Sequence, residues 1–159
     1  QEFFSGKKND TMYTKCDIVY LIFAFIGVLS GLSGFITFMF VYGNVQAGIW
    51  AFFTGFYAMA TAFLFGLKMV EILDEWYGPD QMFRISLLGF AGSFASFVAS
   101  VCYVSIIISF EENFPKKSTY GKSHIIMLVW SLLCLKWSLT SGYVARNQSK
   151  RLRSGYQAL

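Results

Sequence analysis

The stretch QAGIWAFFTGFYAMATAFLFG, residues 46–66, carries no charged side chain on any face. A helix in a soluble bundle keeps a polar stripe toward water, and a helix built from this stretch has none. Three further apolar runs accompany it, so that the set covers about 17–42, 47–70, 82–109 and 125–145. Each reaches the roughly 20 residues needed to cross a hydrocarbon core of about 30 Å. Charged residues make up only 14 % of the chain, against about 25 % in soluble domains, too few to cover a water-facing surface. The expected fold is all-α: a polytopic membrane protein with four transmembrane helices in one domain, 17–145. An N-terminal tail, 1–16, and a C-terminal tail, 146–159, flank it. The first run is too long for a signal peptide and lacks a small-residue cleavage site.

Lysine and arginine placement orients the chain. Lys7, Lys8 and Lys15 precede the first run, and Arg146, Lys150, Arg151 and Arg153 follow the last. Four spans put both ends on one side, and these charges make that side cytosolic. The sequons at Asn9 and Asn147 then face the cytosol and stay unglycosylated. The net charge of +4 reads as this positive-inside signature, with no nucleic-acid partner implied. Cys16, Cys102 and Cys134 stand singly, without the paired spacing of zinc or redox motifs. Tyr120-Gly121-Lys122-Ser123 lacks the upstream glycine of a phosphate loop, so no nucleotide is expected. Tyr156-Gln157-Ala158-Leu159 has the form of a tyrosine-based sorting signal in the presumed cytosolic tail.

Small residues recur at four-residue spacing in the first run (Gly27, Gly31; Ser30, Gly34) and the third (Gly92, Ser96, Ser100). Such stripes let helix backbones approach closely, within one bundle or between copies in a homo-oligomer. In the second run Trp50, Phe53, Tyr57, Thr61, Leu64 and Lys68 share one face, either a packing surface or a ligand wall. The acidic residues Glu71, Asp74 and Glu75 in the following loop lack metal-ligand spacing with a histidine and read as solvated. Trp76 and Tyr77 suit the headgroup level.

The fourth run, WSLLCLKWSLT at 130–140, holds Lys136 near its middle. A lysine at that depth costs roughly 2.5–3.5 kcal/mol on insertion scales. Helical spacing groups it with Thr140 and Tyr143 as a polar seam, expected to face the bundle interior or a wet cavity. The lysine then either snorkels or pairs with a carboxylate such as Glu71, or it faces an anionic ligand.

Residues 129–146, VWSLLCLKWSLTSGYVAR, resemble the last helix of the heme-responsive-gene family of small heme transporters. Residues 25–42 and 73–90 are similar to that family's first helix and to its cytosolic loop with the third helix. The resemblance implies a four-helix permease, not an enzyme, of the plasma membrane or of endosomes and lysosomes, with heme as transported substrate. It implies an iron ligand in the second helix, where Tyr57 is the natural candidate and a strict count places Lys68. It implies a histidine before the fourth helix, and the chain's one histidine is His124. It also implies an aromatic-Ala-Arg-Lys-Tyr motif, matched here by Val144-Ala145-Arg146-Asn147-Gln148, which keeps only the Ala-Arg pair.

The chemistry of the residues suits such a substrate independently. Iron accepts imidazole or phenolate, which His124 and Tyr57 offer. Trp50, Phe53, Trp130 and Trp137 are candidates to wall the flat ring, and Lys136, Arg146 and Lys68 to hold its carboxylates. Two other classes stay open: a ligand-free four-span scaffold or trafficking protein, and a small membrane enzyme acting on lipophilic anions. Membrane lipid is a partner in every case.

Overall fold

The computed structural model describes the backbone of residues 10–69, 77–112 and 120–157, and side chains over 17–69, 77–112 and 120–154. The described residues form four helices: α1 (Asp10–Ile36), extended by a π-helical turn at Thr37–Val41; α2 (Val45–Met69); α3 (Pro79–Ser109); and α4 (His124–Gln157). Each contains a span long and apolar enough to cross a membrane, of 25, 25, 31 and 31 residues, which marks the chain as an integral membrane protein. The all-α, four-span expectation holds, and the start of α1 and the end of α4 lie at one end of the bundle.

Local chemistry explains the boundaries. Gly43, at φ +67°, ends α1 in the left-handed conformation that glycine adopts without cost. Asn44 then caps α2: its Oδ1 accepts the Ala47 N–H at 3.0 Å. Pro79 opens α3, where its missing N–H is no loss, and Gln81 Oε1 reaches back to accept the Gly78 N–H at 3.2 Å. The fourth helix runs well past 145, so residues 146–157 continue it instead of forming a separate tail. Ser149 Oγ donates to Pro79 O at 2.8 Å and Arg153 meets Asp80 at 3.1 Å, fastening that extension to the start of α3.

Two helix pairs are built on glycine. At the α1/α2 crossing a Cβ on Gly31 would stand 2.5 Å from the Gly55 backbone. At the α3/α4 crossing a Cβ on Gly89 would stand 2.6 Å from Gly142. Below the second crossing the antiparallel register continues as a serine ladder. Ser93 meets Ser138 at 3.1 Å, and Ser100 meets Ser131 at 2.9 Å. Without water as competitor, close backbone packing and interhelical hydrogen bonds are what hold such pairs.

The hairpins join through α2 and α4, which run parallel. Asn44 Nδ2 donates to Tyr120 O at 2.9 Å and Thr54 Oγ1 to Trp130 O at 3.3 Å, both across a separation of 76 in sequence. Large rings fill the two wider flanks. Between α1 and α4, Trp137 sits in the notch left by Gly27 and Trp130 in the notch left by Gly34. Between α2 and α3, Tyr57 reaches the notch left by Gly92, and Trp50 Nε1 donates to Tyr103 Oη at 3.0 Å.

Candidate functional site

The constant separation of 76 between α2 and α4 sets the depth of every candidate. Tyr57 is the midpoint of α2 and lies level with position 133, so Lys136 sits about 4–5 Å from the bundle's mid-plane at 1.5 Å per residue. By the same register His124 lies level with Gly48, about 13 Å from Tyr57 along the axis. The two candidate iron ligands therefore occupy separate stations and do not converge on one metal ion.

His124 opens α4 at the end opposite the start of α1. Glu112, just beyond α3, clasps it twice. The carboxylate accepts the His124 backbone N–H at 3.0 and 3.2 Å, satisfying a donor that the helix start leaves free. Its Oε2 also stands 2.9 Å from His124 Nδ1. A carboxylate there favours the proton on Nδ1, which leaves the lone pair of the neutral ring on Nε2, a tautomer suited to metal ligation. Burial pushes the Glu112 carboxyl up, but nearby Ser123 and the His124 donors outweigh it and hold the carboxyl below the usual carboxylate range. Ser123 Oγ falls short of full hydrogen-bond geometry, so the His124 contacts carry the effect.

Tyr57 spans the α2/α3 flank, its Oη donating to Leu88 O at 3.3 Å. Beside it opens a pocket of about 190 Å³, lined by rings including Phe56, Phe63 and Tyr77 and also by Gly89 and Ser141. That volume is below the roughly 300–1,000 Å³ of pockets that enclose drug-sized ligands.

The polar seam of α4 does not face the interior. Lys136 is exposed on the outer face of the bundle, and Tyr143 beside it is 64 % exposed. Packing against α2 and α3 gives the reason. The inward positions of α4 are Ser131, Cys134, Ser138, Ser141, Gly142 and Ala145, all buried, and a lysine side chain is too long for that close contact. Thr140 Oγ1 turns back to its own helix, donating to Lys136 O at 2.8 Å. The Lys136 ammonium lies 4.8 Å from the centre of the Trp137 ring, a cation–π contact. No described carboxylate pairs with it, and Glu71 lies outside the described residues.

The remaining candidates divide between structure and surface. Lys68 donates to both carboxylate oxygens of Asp17 on α1, at 2.8 and 3.0 Å, an ion pair that occupies the ammonium expected to meet an anion. Arg146 is exposed toward the end of the bundle where α1 starts. The four rings expected to wall one ligand are dispersed: Trp130 and Trp137 fill the α1/α4 flank, Trp50 the α2/α3 flank, and Phe53 is 41 % exposed. Glu71, Asp74, Glu75 and Trp76 lie outside the described residues.

Sequence reasoning passed over three residues that organise the site. Glu112 and Asp17 carry no local signal, because their partners His124 and Lys68 lie 12 and 51 residues away. Asn44, within a Gly-Asn dipeptide between two apolar runs, carried the clearest signal, because glycine ends one helix and asparagine starts the next. Compared with family models, curated proteins and solved structures, the chain matches none of them.

Proposed function

We propose that this chain is a heme permease that moves heme toward the cytosol, with both termini on the cytosolic side, in the plasma membrane or an endosomal or lysosomal membrane. The observation that carries the reading is the Glu112–His124 clasp. It presents an imidazole at one mouth of a membrane bundle, with Nδ1 held by Glu112 and Nε2 left to meet iron among the described residues. The helix-four resemblance supports the same reading, as does the ammonium of Lys136, which suits a propionate at mid-depth.

In this account His124 receives heme iron on the exoplasmic side. Twelve residues further along α4, about 18 Å deeper, Lys136 takes the carboxylates, and Arg146 follows at the cytosolic boundary. The stations act in succession, because no single position brings His124, Tyr57 and Lys136 together. Movement follows the heme gradient or a cytosolic acceptor.

The test is uptake of a fluorescent heme analogue by heme-auxotrophic cells expressing the chain, with His124→Ala, Tyr57→Phe and Lys136→Met made singly. The parent is expected to import, with the His124 and Lys136 variants at least several-fold slower. Failure of the parent and all variants alike ends the permease reading. The close glycine and serine packing favours the second reading, a ligand-free scaffold, which predicts a silent Lys136→Met and no Soret band on heme titration.

A further inference from the structure

Lys136 stands alone among the described charges in its depth. The described acids that form ion pairs, Asp17, Asp80 and Glu112, are engaged at the ends of the bundle by Lys68, Arg153 and His124. Lys136 instead points outward about 4–5 Å from the mid-plane, at a depth where a charge is costly, with the Trp137 ring beside its ammonium. The helix interface behind it is occupied by buried serines, so it has no inward route.

The surface around it has a definite pattern. Val129, Leu132, Lys136, Leu139 and Tyr143 are spaced three and four apart along the outer face of α4, and all are exposed. This is the spacing by which two parallel helices pair residue against equivalent residue. The outer face of α1 carries a similar row, Ile18, Ile22, Phe25, Leu29, Leu32 and Ile36, but that row is wholly apolar. Lipid tails satisfy an apolar row; they do not satisfy an ammonium.

Resting on the permease reading, we infer that the outer face of α4 is half of a heme site completed by a second copy of this chain, with the two Lys136 ammoniums holding the two propionates. A two-fold axis along the membrane normal sets the same α4 faces together and brings both lysines to one depth. Without an anion that contact opposes two like charges in a medium of low dielectric constant and is disfavoured. A lipophilic dianion reverses the sign: its carboxylates meet both ammoniums while its ring lies against Leu132, Leu139 and Tyr143. The copies therefore pair in response to substrate, and the site does not exist in the single chain.

The experiment uses the full chain in nanodiscs, carrying Cys16→Ser and Cys102→Ser with a reporter cysteine at Val129→Cys, on the same exposed face but outside the ring contact, and a short bismaleimide cross-linker. Protoporphyrin IX, with two free carboxylates, is expected to raise the cross-linked dimer fraction several-fold. Its dimethyl ester, with the same ring and no acid, is expected to leave it unchanged. Lys136→Met, on the exposed face and checked for folding by its elution volume and tryptophan emission, is expected to abolish the response to the diacid. No rise with the diacid, or an equal rise with the ester, overturns the inference. So does a cross-link in cells to a different protein, which would instead assign the lysine to a partner helix bearing a carboxylate. Uptake that depends on Lys136 while the diacid yields no cross-link overturns the shared site and leaves the permease standing. Diacid-dependent cross-linking without uptake supports the site and removes the permease.

Discussion

The α3/α4 contact makes a quantitative prediction at Gly89. A Cβ there would stand 2.6 Å from the Gly142 backbone, whereas ordinary contacts begin at 3.4 Å. Backbone cannot swing aside as a side-chain tip can, so Gly89→Ala must part the helices by about 0.8 Å. Ser93–Ser138 then opens from 3.1 to about 3.9 Å and Ser100–Ser131 from 2.9 to about 3.7 Å, both beyond hydrogen-bonding range. Interhelical hydrogen bonds in membranes average about 0.6 kcal/mol, so the pair accounts for about 1.2 kcal/mol. A gap of this size forfeits a quarter to a half of each dispersion contact, which over roughly twenty atom pairs adds about 1 kcal/mol. The expected loss is about 2 kcal/mol. Gly142→Ala should cost less, because its Cβ meets nothing nearer than 3.2 Å, and Gly66→Ala should be near neutral, with nothing within 4 Å. Unfolding in mixed micelles, followed by tryptophan fluorescence, measures all three. Equal stability of the Gly89 and Gly66 variants would refute the close-packing argument.

Other residues give further tests. Ser100→Ala should cost about 0.6 kcal/mol by the same assay, while Ser86→Ala should be neutral or stabilising, because Ser86 Oγ is buried without a partner. A double-mutant cycle on Asp17→Asn and Lys68→Met should return a coupling of about 1–3 kcal/mol, since the pair is mostly shielded yet reaches the bundle's edge. Glu112 sets a pH dependence. Its folded carboxyl lies below its ordinary 4.5, so its contribution is fully present above about pH 4.5 and is lost as pH falls through the lowered value. Hydrogen exchange of the first-turn amides of α4 should accelerate in that acid window, and Glu112→Gln should remove the dependence.

Much of the fold was legible because the strongest signal is the simplest. Runs lacking charge, such as 46–66, can only be buried or face lipid, and their lengths match the span. Gly31 and Gly92 were readable as points of close approach, though their partners, Gly55 and Tyr57, follow from register, which no local pattern carries. Lys136 shows the limit most clearly. Spacing alone placed it with Thr140 and Tyr143 on one face, but not which way that face pointed. The direction was set by the opposite face, where Ser131, Ser138 and Gly142 fit α3 and a lysine does not. Lys68 illustrates the same gap: its partner Asp17 lies 51 residues away, and only the α1/α2 hairpin brings them together. The extension of α4 past 145 was hidden because charge there read as a tail, whereas its anchors, Pro79 and Asp80, belong to another helix.

Transport itself is the most direct test of the account. Purified chain reconstituted into liposomes, with an apo-peroxidase inside to report arriving heme, isolates the protein from every cellular partner. Heme entry is expected to be faster than in empty liposomes, several-fold slower with Lys136→Met and slower again when His124→Ala is added. Entry no faster than in empty liposomes, with the bundle verified as folded, would contradict it.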